Sequence, residues 1–245
     1  MIDQKRLVEK AAALGIDAAP CAAALDEYAA LLVAYNEKVN LTAITEPAAI
    51  EDRHFVDSLL LAAQPEVTGR LVDVGTGAGF PGVVAKLYKP ELALTLMEPT
   101  GKRVEFLKAL CARLGLSGVE FAKERAEEAA RKAWREQFDV ATARGVTRLP
   151  ALAEYCLPLV RVGGWFIAMK GPSADEEISE AQGAVTKLGG KYRDKRVFTL
   201  PDGSQRALIF SLKNSGENRM WLVLYFFRTL LVYPTGTVLL MIIMQ

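Results

Sequence analysis

A chain of 245 residues, 51% hydrophobic and 24% charged, has the length and composition of one large globular unit with a substantial buried core. Its net charge of +1 excludes a global field that draws in nucleic acid, so any basic binding surface has to be local. A single histidine and three widely spaced cysteines, Cys21, Cys111 and Cys156, argue against a zinc site or a disulfide framework. The thiols read as buried in a reducing cytoplasm, and the amino terminus, MIDQKRLVEKAAALG, lacks the apolar run of a secretory signal.

Residues 1–65 show helical rather than alternating spacing and are expected to form a helical cap. Leu7, Ala11 and Leu14 mark one helix; Leu25, Tyr28, Leu32 and Tyr35 mark a second between Pro20 and Val39. After NLTAITEP comes EDRHFVDSLLL, where Phe55, Leu59 and Leu60 face the core and Arg53, His54 and Asp57 share another face. Two readings stand for His54, a hydrogen-bonded tie between the cap and the main domain or a role at a substrate site.

From Arg70 strand and helix patterns alternate with short connections, which predicts βαβ units and a parallel sheet over residues 66–213. Strands are expected near 70–75, 92–97, 118–122, 137–143, 162–169, 192–199 and 206–212, the last two joined as a hairpin by Pro201-Asp202-Gly203-Ser204. The predicted class is therefore α/β and Rossmann-like, a seven-stranded, mainly parallel sheet with an N-terminal helical cap. Residues 214–245 are far more apolar than the body but are interrupted by Arg228, Pro234 and Gly236, short of the roughly 18 residues of a membrane span. They read as a frameshifted or altered terminus, with membrane association expected only if the segment is native.

The stretch from Leu71 to Gly82, LVDVGTGAGFPG, predicts a buried strand, a tight turn and a helix with Pro81 at its first position. Gly77, Gly79 and Gly82 match the G-x-G-x-x-G dinucleotide pattern. Gly75 directly after the strand, Asp73 within it, and the bulky Phe80-Pro81 pair point instead to S-adenosylmethionine. A second strand, LALTLME, ends in Glu98, about 20 residues downstream, where a carboxylate would accept hydrogen bonds from ribose hydroxyls.

Open α/β sheets bind ligands at the carboxyl ends of their strands, which singles out three further segments. Arg125, Ala126 and Glu127 follow the third strand, beside the expected adenine. Arg144 stands at the end of the fourth, before the methyl donor, and Lys170 and Gly171 follow the fifth. Arg144 and Lys170 are cations suited to an electron-rich nucleobase or its phosphate. Lys102, Arg103, Arg113, Arg148, Lys187, Lys191, Arg193, Lys195 and Arg196 are candidates for RNA capture or for a solvated face.

NLTAI, RHFVDSL, DVGTGAGFPG, GKRVEFL, RAE, TAR and KG, in this order and spacing, resemble the bacterial small-subunit ribosomal RNA methyltransferase G family, RsmG, also called glucose-inhibited division protein B. The resemblance covers residues 1 to about 213. It implies a methyltransferase Rossmann fold and methylation of N7 of one guanine in 16S ribosomal RNA of the small subunit; the chain is expected to be a cytoplasmic monomer without a metal. It also implies that Gly75 and Phe80 contact the donor, that Glu98, Pro99 and Thr100 lie by its ribose, that Ala126 and Glu127 lie by its adenine, and that Arg144 lies at the reactive end. The chain departs from the family in having Gly145 after Arg144, where alanine is usual, and in replacing a basic terminus with an apolar one. Gly145 is expected to loosen the backbone beside Arg144. Other readings are a methyltransferase for another substrate, a nicotinamide dehydrogenase, and a copy of the family that binds donor and RNA without transferring methyl groups.

Overall fold

The computed structural model describes residues 1–215, and the greater part of the apolar terminus, residues 216–245, lies outside them. Seven strands form one sheet: β1 (Arg70–Val74), β2 (Ala93–Met97), β3 (Val119–Ala122), β4 (Phe138–Arg144), β5 (Val160–Lys170), β6 (Gly190–Thr199) and β7 (Gln205–Lys213). Their order is β3-β2-β1-β4-β5-β7-β6. β1 to β5 run parallel, and β7 enters antiparallel between β5 and β6. Every strand lies within two residues of its expected position, and the final pair is the expected hairpin.

The central strands are buried on both faces, and alternate residues feed two separate cores. On one face Leu71, Leu94, Leu96, Val140 and Ile167 pack with α5 (Gly82–Tyr88) and α6 (Gly101–Arg113). On the other, Val72, Val74, Ala141, Ala143 and Phe166 pack with α8 (Leu149–Cys156) and α9 (Ala174–Lys187), behind the short α7 (Ala126–Ala129). Cys21, Cys111 and Cys156 are unpaired and buried.

The N-terminal helices join the first of these cores. α1 (Gln4–Ala12) buries Leu7 and Ala11, and α2 (Ala22–Val39) buries Leu25, Tyr28 and Leu32. α2 stops at Asn40, whose φ of 50° is left-handed, while the Asn36 carboxamide accepts the N–H groups of Leu41 and Thr42. Glu46 then caps α3 (Pro47–Ile50), with Pro47 in its first turn, where a missing N–H costs nothing.

Helix continues from α3 into α4 (Asp57–Ala62) through a π-type turn, Glu51–Val56. There Asp57 N–H reaches back five residues to Asp52 O instead of four to Arg53 O, which releases the Arg53 carbonyl from the ladder. Glu51, fully buried, ties this turn to α1: it accepts Arg6 through both carboxylate oxygens at 2.7 and 2.6 Å, Lys10 at 3.0 Å and the N–H of Asp3 at 3.0 Å.

One boundary differs from expectation. Pro81 is the N-cap rather than the first residue of α5, because the glycine turn occupies one residue more before helical geometry begins. No helix among the described residues is long and apolar enough to cross a membrane. Glu51→Gln, keeping the shape but removing the charge that gathers α1, is expected to lower stability by about 1–3 kcal/mol in urea unfolding. The loss is bounded by the hydration that half-exposed Arg6 retains.

Candidate functional site

Strand order reverses between β1 and β4: the chain winds outward from β1 to β3, then returns to the other side of β1 for β4. The carboxyl ends of β1 and β4 therefore flank a crevice. The glycine turn leaves one end and Arg144 terminates the other.

Gly75 and Thr76 both donate N–H bonds to Met97 O, at 2.9 and 3.3 Å, which anchors the turn on β2. Asp73 shapes it from below. Its Oδ2 accepts Thr76 Oγ1 at 2.6 Å and Gly82 N–H at 2.8 Å, and with no exposed surface it works on the turn rather than on a ligand. Burial pushes its carboxyl up to about 6, partly offset by those two donors. Gly82 and Gly79 are packing glycines, since a Cβ would meet Asp73 at 2.8 Å and the Tyr28 hydroxyl at 2.6 Å. Gly77 is different. Its φ of +58° is left-handed and a Cβ there would meet nothing nearer than Gly75 O at 4.0 Å, so this turn presents bare backbone to open space.

Glu98 closes the turn from the end of β2. One carboxylate oxygen accepts Gly77 N–H at 3.1 Å and the other Thr100 N–H at 2.9 Å, and the group is 2% exposed. Each oxygen keeps a second lone pair for a hydroxyl. Pro99 and Thr100 form the exposed lip of the same loop; Arg125 caps α7 and Ala126 starts it, with Glu127 next. A turn left open by the missing side chain at Gly77, a carboxylate with spare acceptors and a small residue at the third strand end fit an adenosine-bearing methyl donor.

Arg144 is held by residues from the N-terminal helices. Its Nη1 donates to the freed Arg53 carbonyl and to Asp57 Oδ2, both at 2.9 Å, and its Nη2 lies 3.3 Å from His54 Nδ1. Because a guanidinium only donates, Nδ1 must accept and the ring proton sits on Nε2, donating to Thr42 Oγ1 at 2.9 Å. Burial and the Arg144 charge push His54 down to about 3, so it is neutral at physiological pH. The ring makes the expected tie between the cap and the sheet, and it also lines the cleft beside Arg144.

Phe80 joins these parts. It stacks on Tyr28 with centroids 4.9 Å apart, on His54 at 4.4 Å, and lies 5.0 Å from the Arg144 guanidinium carbon. Phe80 as a whole is 5% exposed, so it serves here as a packing residue.

Beside Arg144 opens a cleft of about 630 Å³ lined by Arg53, His54, Asp57, Gly145, Lys170 and Arg206, among others. That volume suits a nucleoside-sized guest. Gly145 has a φ of +67° with nothing within 4 Å of a Cβ. Rather than loosening the backbone it occupies a conformation that strains other residues by about 1–2 kcal/mol. Lys170 reaches the cleft but is engaged, at 2.6 Å from both Thr147 O and Glu177 Oε2, so it braces the loops after β4 and β5.

Of the proposed RNA-capture set, Arg103, Arg113, Arg148, Lys195 and Arg196 are ion-paired with Glu98, Glu27, Glu176 and Glu180, Asp175, and Glu66. Lys102, Lys191 and Arg193 carry no ion pair among the described residues. Arg206 and Ser204 were not anticipated. Being antiparallel, β7 brings its amino end to the edge where the parallel strands end, with Ala207 opposite Lys170.

His54 sets a pH dependence. Between about 3 and 6.5 the unfolded chain holds a proton on this ring that the folded one lacks, so its contribution to stability is complete above 6.5 and is lost as pH falls toward 3. In His54→Gln the slope of unfolding free energy against pH in that window is expected to flatten by up to about 1.4 kcal/mol per pH unit. Urea unfolding of both proteins at pH 7 and 5 checks it; an unchanged slope refutes it.

The chain is similar to several known proteins. The Ribosomal RNA small subunit methyltransferase G of Alkaliphilus metalliredigens is 50% identical over 177 residues, covering 71% of this chain and 74% of that protein. The protein of the same name from Halalkalibacterium halodurans is 47% identical over 192 residues, 77% of this chain and 81% of that protein. Among solved structures, Pyrococcus horikoshii TYW2 in complex with MeSAdo superposes with a TM-score of 0.52 at 11% identity, over 64% of this chain and 62% of that one. A 16S rRNA (adenine(1408)-N(1))-methyltransferase from Catenulisporales acidiphilia gives 0.50 at 15% identity, over 66% and 93% of the two chains. These last two likenesses establish the Rossmann-like methyltransferase fold. The family model for GidB, rRNA small subunit methyltransferase G, matches residues 22–207, and on that match and those identities the chain belongs to this family.

Proposed function

We propose that this chain transfers a methyl group from S-adenosylmethionine to N7 of a guanine in 16S ribosomal RNA. The observation that carries the reading is Arg144, clamped at the switch point between the glycine turn and the 630 Å³ cleft. In this reading Gly75, Gly77 and Gly79 carry the donor with the Phe80 backbone, on the turn that Asp73 holds in shape. Glu98, Pro99 and Thr100 meet its ribose, and Arg125, Ala126 and Glu127 border its adenine. The cap (1–65) and the sheet domain (66–213) act together, in a cytoplasmic monomer whose three thiols stay reduced.

Guanine N7 has a lone pair and no proton, so no general base is needed. The donor supplies an electrophilic methyl: the N7–carbon bond forms as the sulfur–carbon bond breaks, and its electron pair stays on sulfur. The chain's part is alignment, which contributes up to about 7–11 kcal/mol when reacting atoms are held in line. Arg144 donates to O6 of the base and leaves N7 open toward the glycine turn. Lys170 positions the loop carrying Thr147 and stands near the phosphate. Lys102, Lys191 and Arg193, without an ion pair among the described residues, add phosphate contacts.

Assays with labelled donor and small subunits lacking the modification test this. Label is expected on N7 of one guanine, and Arg144→Ala is expected to lower turnover at saturating RNA by ~100-fold with donor affinity kept. Full turnover in that variant removes the role. Donor binding without transfer by the unaltered protein identifies an inactive copy. The KM for RNA should rise with salt by about 0.7 log units per decade for each phosphate contact; a flat response removes the three cations.

A further inference from the structure

Asp57 is the only carboxylate within salt-bridge reach of Arg144 among the described residues, and it is 1% exposed. Its Oδ2 accepts Nη1, while Oδ1 lies 3.2 Å from Arg206 Nε without forming a hydrogen bond. The same Nη1 also donates to the Arg53 carbonyl that the π-type turn releases. Two acceptors on one nitrogen fix both the position and the plane of the guanidinium. Of its five N–H donors three are then directed at Arg53, Asp57 and His54, and two remain for a guest in the cleft.

We propose that Asp57 is a positioning residue for methyl transfer: it holds Arg144 in the orientation that meets the guanine O6 edge and offsets its charge. The inference rests on the methyl-transfer reading above. When N7 takes the methyl group, the purine becomes cationic, because a neutral base has accepted CH3+ and sulfur has kept the bonding electrons. An uncompensated guanidinium against that purine opposes the step. A carboxylate behind the guanidinium leaves its hydrogen bonds intact and lowers the repulsion. Arg206, on the other carboxylate oxygen, lines the same cleft, so one buried anion serves two cations from different strands.

The test is D57N, which keeps the shape and one acceptor but removes the charge, assayed beside the unaltered protein. kcat is expected to fall about 10- to 100-fold while the donor Kd by calorimetry and the KM for RNA stay within about threefold. A kcat within about twofold of the unaltered protein, or donor affinity falling in step with kcat, overturns the proposal. A second measurement needs no variant at position 57. In the unaltered protein, nitrogen-15 spectra should show separate, slowly rotating Nη resonances for Arg144, assigned by their loss in Arg144→Lys. A single averaged signal overturns the clamp. Failure of the unaltered protein to transfer methyl defeats the functional reading instead, and the parallel assay separates that result from a defect of D57N.

Discussion

The Arg144 clamp is the constraint on which the site depends. A side chain at the end of β4 is held by a carbonyl, an imidazole and a carboxylate that all precede the sheet in the chain. A long guanidinium loses rotamer freedom when it is fixed, and the clamp holds it before any ligand arrives. The cap is therefore a component of the candidate site as well as a cover for the sheet.

Phe80 carries that constraint to the glycine turn. Its ring packs on Tyr28 from α2 and on His54 from the π-type turn, while its own backbone belongs to the loop that runs from β1 to α5. The Tyr28 hydroxyl donates to Ala78 O in the same loop. Displacing the cap would uncover Phe80, free Arg144 and leave the Ala78 carbonyl without its donor. One aromatic stack thus couples the proposed donor site to the proposed base site.

Charge in the cleft is arranged rather than merely positive. Arg53 pairs with Asp202, Lys170 with Glu177, and Asp57 faces both Arg144 and Arg206. The lining carries four cations and one carboxylate, and with the partners Asp202 and Glu177 behind it three carboxylates answer four cations, leaving one positive charge in surplus. Neutral His54, between Arg144 and Phe80, accepts a hydrogen bond without adding to it. Such a lining suits a phosphate-bearing base better than a bare cation or an apolar ligand.

The positions of the strands along the chain, the hairpin and the glycine turn were legible in the sequence because they rest on local signals: period-two apolar runs, glycine and proline punctuation, and a carboxylate at a fixed interval. The same logic put Glu98 and Arg144 at strand ends, since parallel topology sends all such ends to one edge. The grouping of Arg53, His54 and Asp57 was legible as a helical face. Their engagement of a residue about 90 positions away was not, because it depends on how the cap docks and on a π-type turn that no propensity marks. Arg206 went unnoticed for a similar reason: only the reversed direction of β7 carries it into the cleft. Periodicity and turn chemistry determined the order of elements and the location of the ligand edge. Which side chains converge there was decided by packing between segments far apart in the chain, whose contact energies have no local signature.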